Sequence, residues 1–125
     1  MQWCLKTISL LCGGLAAGQT IGTVTTLAGG LGGTTSGHAD GVGTAASFNV
    51  PSYVAVDAAG TVAVVAEYGN YLIRRISLAT SLVTTLAGTF GVPGTTDGIG
   101  TAALFNVPYG VAMDAAATFV IVVRC

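Results

Sequence analysis

The chain has 125 residues, a formal net charge of −1, and 7% charged against 52% hydrophobic residues. That length holds one ordinary domain, and four cations scattered among five acidic residues exclude a basic stripe able to follow a phosphate backbone, so no nucleic-acid partner is expected. So little charge resembles a membrane protein, yet Gly, Thr, Ser or Pro interrupts every uncharged stretch before the roughly 20 apolar residues of a spanning helix, and no transmembrane segment is expected.

In chain order, the first feature is Met1 to Gly18, MQWCLKTISLLCGGLAAG. A lysine near the start, an apolar stretch from Ile8 to Ala17 and the small residues Ala16 and Gly18 fit a signal peptide, which would place the protein outside the cytoplasm. The same segment supports a second reading. Trp3 to Leu10 (WCLKTISL) matches the pattern of Tyr71 to Leu78 (YLIRRISL), so it also reads as the tail of a repeat unit. Cys4, Cys12 and Cys125 are odd in number and lack C-x-x-C spacing, which leaves any disulfide pairing open.

The next segment carries an internal repeat. Asp40 to Ala59, DGVGTAASFNVPSYVAVDAA, returns from Asp97 to Ala116 as DGIGTAALFNVPYGVAMDAA, with fifteen of twenty positions identical at an offset of 57. VTTLAG at Val24 to Gly29 returns at Val83 to Gly88, offset by 59, so the length difference falls in the loop stretch between Gly88 and Asp97. Within one period, short β-branched runs predict strands at Tyr53 to Asp57, Thr61 to Ala66, Tyr71 to Ser77 and Leu82 to Ala87. Ala58-Ala59-Gly60 predicts a tight hairpin turn. Glu67-Tyr68-Gly69-Asn70 predicts a turn with positive φ at its Gly or Asn. Four antiparallel strands per unit make a β-propeller blade, and a long loop from Gly29 to Pro51 carries the chain into it.

The order VTTLAG, a Gly-rich gap, then DGVGTAASFNVPSYVAVDAAGTVAVVAEYGNYLIRRIS resembles the NHL-repeat family of β-propellers over about 100 of the 125 residues. Departures from the family pattern are Thr61 for Asn, Ala63 for an aromatic, Glu67 for Asp, and Ala117 for the turn glycine, where positive φ would strain a side chain. The resemblance implies an all-β fold of four-stranded antiparallel propeller blades in an incomplete ring. It divides the chain into residues 1–22 (signal-peptide-like, or the end of a preceding blade), 23–82 (a complete blade with its long loop) and 83–125 (a second, truncated unit). At 57 residues per unit, a ring of about four to eight blades cannot close within one copy, so further blades or self-association are expected.

Candidate chemistry is sparse. GVGTAA and GIGTAA satisfy a loose dinucleotide pattern, but Pro51 and Pro108 forbid the helix that would meet a pyrophosphate. Asp40 and Asp97 precede glycine without the oxygen cluster a calcium ion needs, and predict local Asx turns. His38, the one histidine, predicts a solvated loop side chain, and Phe48-Asn49 predicts a ring in the core beside an amide capping a turn. Of Arg74 and Arg75, one is expected to bond carbonyls or Glu67 along a blade surface. Asp57, Glu67, Asn70, Arg74 and Asp114 form the candidate binding face. These residues imply a non-catalytic binding or interaction scaffold for a protein or glycan ligand, with no cofactor and no metal. The alternatives are part of a metal-dependent lactonase- or hydrolase-like propeller, with Glu67, Asn70 and Asp57 converging, or a truncated remnant without function.

Overall fold

In the computed structural model, residues 5–8, 24–30 and 36–124 are described. The signal-peptide-like reading falls mostly outside these residues, and Cys4, Cys12 and Cys125 lie wholly outside them. Apart from two 3-10 turns, the regular elements of the described chain are all strands, in order β1 (Leu5–Ile8), β2 (Val24–Ala28), β3 (Gly41–Val42), β4 (Pro51–Val56), β5 (Val62–Glu67), β6 (Leu72–Ser77), β7 (Leu82–Ala87), β8 (Pro108–Met113) and β9 (Val120–Arg124). Every strand pair is antiparallel. The sheets are open: β4 to β7 with β3 make a five-stranded sheet in the order β3-β7-β6-β5-β4, and β1-β2 and β8-β9 are separate pairs. No helix among the described residues is long and apolar enough to cross a membrane.

The four long strands of the central sheet stand within two residues of their predicted bounds, because turn residues bracket each short apolar run. On β5, Ala63 and Val65 face one way and join Ala28, Ala46, Phe48, Ile76 and Val83 in a core cluster. Val64 and Ala66 face the other way and meet Ile73 and Val111. Burial on both faces is why β5 reads as a continuous apolar run. Each buried Val or Ile side chain contributes about 1.5–3 kcal/mol relative to exposure.

Four registers reveal what the flanking pairs are. In β4-β5, Pro51 pairs with Glu67 and, past a bulge, Tyr53 with Ala66. In β8-β9, Pro108 pairs with Arg124 and, past the same bulge, Gly110 with Val123. In β6-β7, Ile73 faces Ala87 and Arg74 faces Thr85; in β1-β2, Leu5 faces Ala28 and Lys6 faces Thr26. The chain is therefore the outer two strands of one blade, a complete blade, and the inner two strands of the next. Inner strands β4 and β8 stand side by side, with Ser52 Oγ donating to the carbonyls of Pro108 (3.2 Å) and Tyr109 (2.8 Å).

The connections depart from expectation in two places. The loop from Gly29 to Pro51 is partly ordered into sheet: Gly41 and Val42 pair with Val83 and Leu82 on the outer strand, followed by a 3-10 turn at Gly43–Ala45. That turn has its counterpart at Gly100–Ala102, so the Gly-rich motif leads into a single turn, not a helix. In the β5-β6 connection the left-handed residue is Tyr71 (φ 62), not Gly69 or Asn70. Gly69 is required for another reason: a Cβ there would stand 2.6 Å from Asn49 Nδ2 and 2.9 Å from the Asn49 carbonyl oxygen. Its N–H donates to that same carbonyl at 3.2 Å, which draws the turn onto the loop before β4.

Candidate functional site

The five candidate residues separate into two groups at opposite ends of β5, about 17 Å apart at the rise of an extended strand. Asp57 closes the β4-β5 hairpin, where its carboxylate accepts from Thr61 N (2.7 Å), Thr61 Oγ1 (2.6 Å) and Val62 N (2.9 Å). Asp114 repeats this arrangement with Thr118 N (2.7 Å), Thr118 Oγ1 (2.6 Å) and Phe119 N (2.9 Å). The two hairpins are joined by a bond from Ala58 N to the Ala115 carbonyl (3.1 Å). Donors aimed at an ionised carboxylate favour that form. The Thr61 hydroxyl leads in holding Asp57 below its ordinary pKa, and the Phe119 N–H leads for Asp114.

Glu67, Asn70 and Arg74 meet at the other end, where the β5-β6 hairpin receives the interblade loop. All three are buried. Arg74 Nη1 donates to Glu67 Oε2 (3.0 Å) and the Ser47 carbonyl (3.1 Å), while Nη2 donates to Asp40 Oδ1 (2.8 Å) and the Ala39 carbonyl (2.9 Å). Its guanidinium carbon lies 5.2 Å from the centroid of the Phe48 ring. Nε has no acceptor among the described residues. Glu67 is equally engaged: Oε1 accepts from Asn49 N (3.0 Å), and Oε2 also takes Asn70 Nδ2 (3.1 Å). Asn70 Nδ2 donates in addition to the Gly37 carbonyl (2.8 Å), and Asn49 Nδ2 caps the turn at the Gly69 carbonyl (3.2 Å).

The network is a clasp that fastens residues 37–49 to the blade. Burial raises the Glu67 pKa above the usual carboxylate value, and the Arg74 charge with the three donors opposes that rise. Asp40 corrects the expectation of a local Asx turn. It bonds Arg74, Thr85 N (3.2 Å) and Thr85 Oγ1 (3.1 Å), reaching across to β7. A buried guanidinium far along the chain outcompetes the nearby backbone for its carboxylate.

On the same end lies a pair that sequence reasoning missed. The His38 ring, from the first interblade loop, stacks on Phe90 of the second, with centroids 3.5 Å apart and planes inclined by 13°. His38 is exposed to solvent, as a side chain in that loop predicts, and is stacked as well. A cavity of about 300 Å³ opens beside the pair, lined also by Thr85, Thr89 and Thr101 and by no Asp, Glu, Lys or Arg. Phe90 falls in the stretch where the two repeat units differ in length, so aligning the repeats could not point to it. Among the described residues no group of three or more His, Cys, Asp or Glu is placed to hold a metal ion.

No family model matches the chain, and no curated protein matches it. Several solved structures are similar, two of them from one organism. One is a Bacteroides thetaiotaomicron protein of unknown function, with TM-score 0.71 and 24% identity over 83% of this chain and 25% of that one. The other is an auxiliary nutrient binding protein from the same organism, with TM-score 0.67 and 23% identity over 82% of this chain and 26% of that one. At these identities the likeness carries the fold, and the chain spans about a quarter of each.

Proposed function

We propose that the chain is a non-catalytic binding scaffold of NHL-type propeller blades, taking an uncharged ligand such as a neutral glycan at the loop end that carries His38 and Phe90. The observation that carries this reading is the exposed stack beside a cavity lined by threonines and lacking charged groups. Aromatic faces with a few hydroxyls suit a ligand that is apolar on one side and hydroxylated on the other. The polar groups of Glu67, Asn70 and Arg74 bond one another and the loop, which suits a supporting role behind that surface. Asp57 stands at the far end of β5, away from Glu67 and Asn70. Asp57 and Asp114 give the opposite loop face its acidic character. The nutrient-binding description of one similar structure agrees with a scaffold role.

The test is a titration of the protein with a panel of neutral oligosaccharides, followed through the His38 and Phe90 ring resonances. Shifts that saturate, and that vanish in Phe90→Ala while the fold is kept, are expected. Absence of any saturating response across the panel, or a response unchanged in Phe90→Ala, would overturn the proposal, as would turnover of a lactone substrate abolished by Glu67→Gln.

A further inference from the structure

The cavity beside the His38–Phe90 stack is built from the complete blade and the two interblade loops that flank it. Its lining is layered by depth: Leu72 and Gly88 are buried, Thr85 and Thr89 are half-buried, and His38, Phe90 and Thr101 are exposed. An apolar floor therefore lies under two threonines, and the aromatic stack stands at the rim.

The hydroxyl protons of the two inner threonines are already committed. Thr85 Oγ1 donates to Asp40 Oδ1 at 3.1 Å, and Asp40 is held in turn by the Arg74 guanidinium at 2.8 Å. Thr89 Oγ1 donates to the Thr101 carbonyl at 2.6 Å. A carboxylate and a carbonyl only accept, so neither hydroxyl can turn to donate into the cavity without abandoning its partner. Each keeps lone pairs for an incoming donor. The Gly88 N–H is likewise engaged, by the Gly100 carbonyl at 3.2 Å. The Thr101 hydroxyl and the His38 ring can still donate, but they stand at the exposed rim, where water serves a ligand group as well.

The inner hydroxyls thus accept hydrogen bonds and give none. An ether or ester oxygen placed against them would meet lone pairs and lose its hydration without a replacement bond, whereas a hydroxyl would donate and recover it. The volume of about 300 Å³ is at the small end of the roughly 300–1,000 Å³ of ligand pockets, which suits one sugar ring and not a chain.

We infer that this cavity selects its ligand by the hydrogen bonds the ligand donates. It takes a single sugar ring, the end unit of a neutral glycan, whose free hydroxyls donate to Thr85 Oγ1 and Thr89 Oγ1 while a C–H face lies on Phe90. The inference rests on the neutral-glycan reading above and adds the direction of recognition: free hydroxyls, not ring or glycosidic oxygens, carry the affinity. Asp40 and the Thr101 carbonyl are positioning groups that hold the two threonine protons away from the ligand.

The test uses the methyl glycosides of glucose, galactose and mannose, each with its monodeoxyfluoro analogues. Fluorine replaces one hydroxyl at nearly the same size and removes its proton. Affinities are read from the Phe90 ring resonances. For a glycoside that binds, fluorination at two positions should each weaken binding by about tenfold. Thr85→Val should erase the penalty at one of these positions and Thr89→Val at the other, while Thr85→Ser and Thr89→Ser, which keep the oxygen, should retain both. Should a valine substitution disturb the fold, the fluorine scan on the wild-type chain and the serine variants still decides. A bound glycoside with no position sensitive to fluorination, or with penalties that persist in both valine variants, would overturn the inference and leave the glycan site standing. No saturable binding by any of the three glycosides would also overturn it, and the oligosaccharide titration separates that result from failure of the site itself.

Discussion

Replacing Arg74 by methionine keeps most of the side-chain volume and removes all four bonds of the guanidinium. Glu67 then remains a fully buried carboxylate without its counter-ion, and two loop carbonyls lose a donor. Breaking a buried pair from one side costs about 3–5 kcal/mol, a large share of the roughly 5–15 kcal/mol that holds a domain folded. At about 4 °C per kcal/mol for this size, Tm should fall by some 12–20 °C in a thermal melt followed by far-ultraviolet circular dichroism. Glu67→Met in the same chain removes the stranded charge, so the double variant should be more stable than Arg74→Met alone. The penalty should also shrink at acid pH, where Glu67 is protonated in both states. A loss below about 1 kcal/mol, or a double variant that falls by the sum of the two single losses, would refute the clasp as the fastening of the interblade loop.

The other carboxylates give pH dependence of opposite sign. Glu67 has a folded pKa above its ordinary 4.5, so its contribution to stability is greatest below that value and falls as pH rises through the folded pKa; Glu67→Gln should flatten this fall in a pH series of melts. Asp57 and Asp114 have folded pKa values below 3.8, so the stability they add is present above that pH and is lost as pH falls; the Asn variants should flatten the acid limb. Ala117 occupies φ 55 where Gly60 occupies φ 67 in the first unit, so Ala117→Gly should raise stability by about 1 kcal/mol in denaturant unfolding. Gly88→Ala should cost more than that, because the new Cβ would collide with the Tyr71 carbonyl oxygen at φ 95.

What the sequence made legible was what depends on neighbours in sequence or on the repeat. The strands of the complete blade follow from short β-branched runs set between turn residues. Ala117 was readable as a strained turn residue because Gly60 holds the matching place. What escaped depends on distant groups. Asp40 is claimed by Arg74, 34 residues away, and Gly69 is fixed by Asn49, not by its own φ. Tyr71 takes the left-handed conformation while its N–H closes the turn on the Glu67 carbonyl at 3.0 Å. Strand β3 is two residues long and exists only against β7, so no periodicity could announce it. The His38–Phe90 stack joins two loops that share no pattern.

The opening shortage of charge also acquires a physical cause. Strand β5, packed on both faces, is apolar at every position but Glu67, and β4, β8 and β9 carry a similar composition onto open faces. Ile121, Val123, Val54 and Val56 are exposed members of those strands.

Hydrogen exchange at the foot of the interblade loop tests its fastening to the blade most directly. The amides of Asn49 and Gly69, which donate to the Glu67 carboxylate and to the Asn49 carbonyl, should exchange as slowly as those of Val62–Glu67 and should lose that protection in Arg74→Met. Free exchange of both amides in the wild-type chain, with the central strands protected, would contradict a loop held by Glu67 and Arg74.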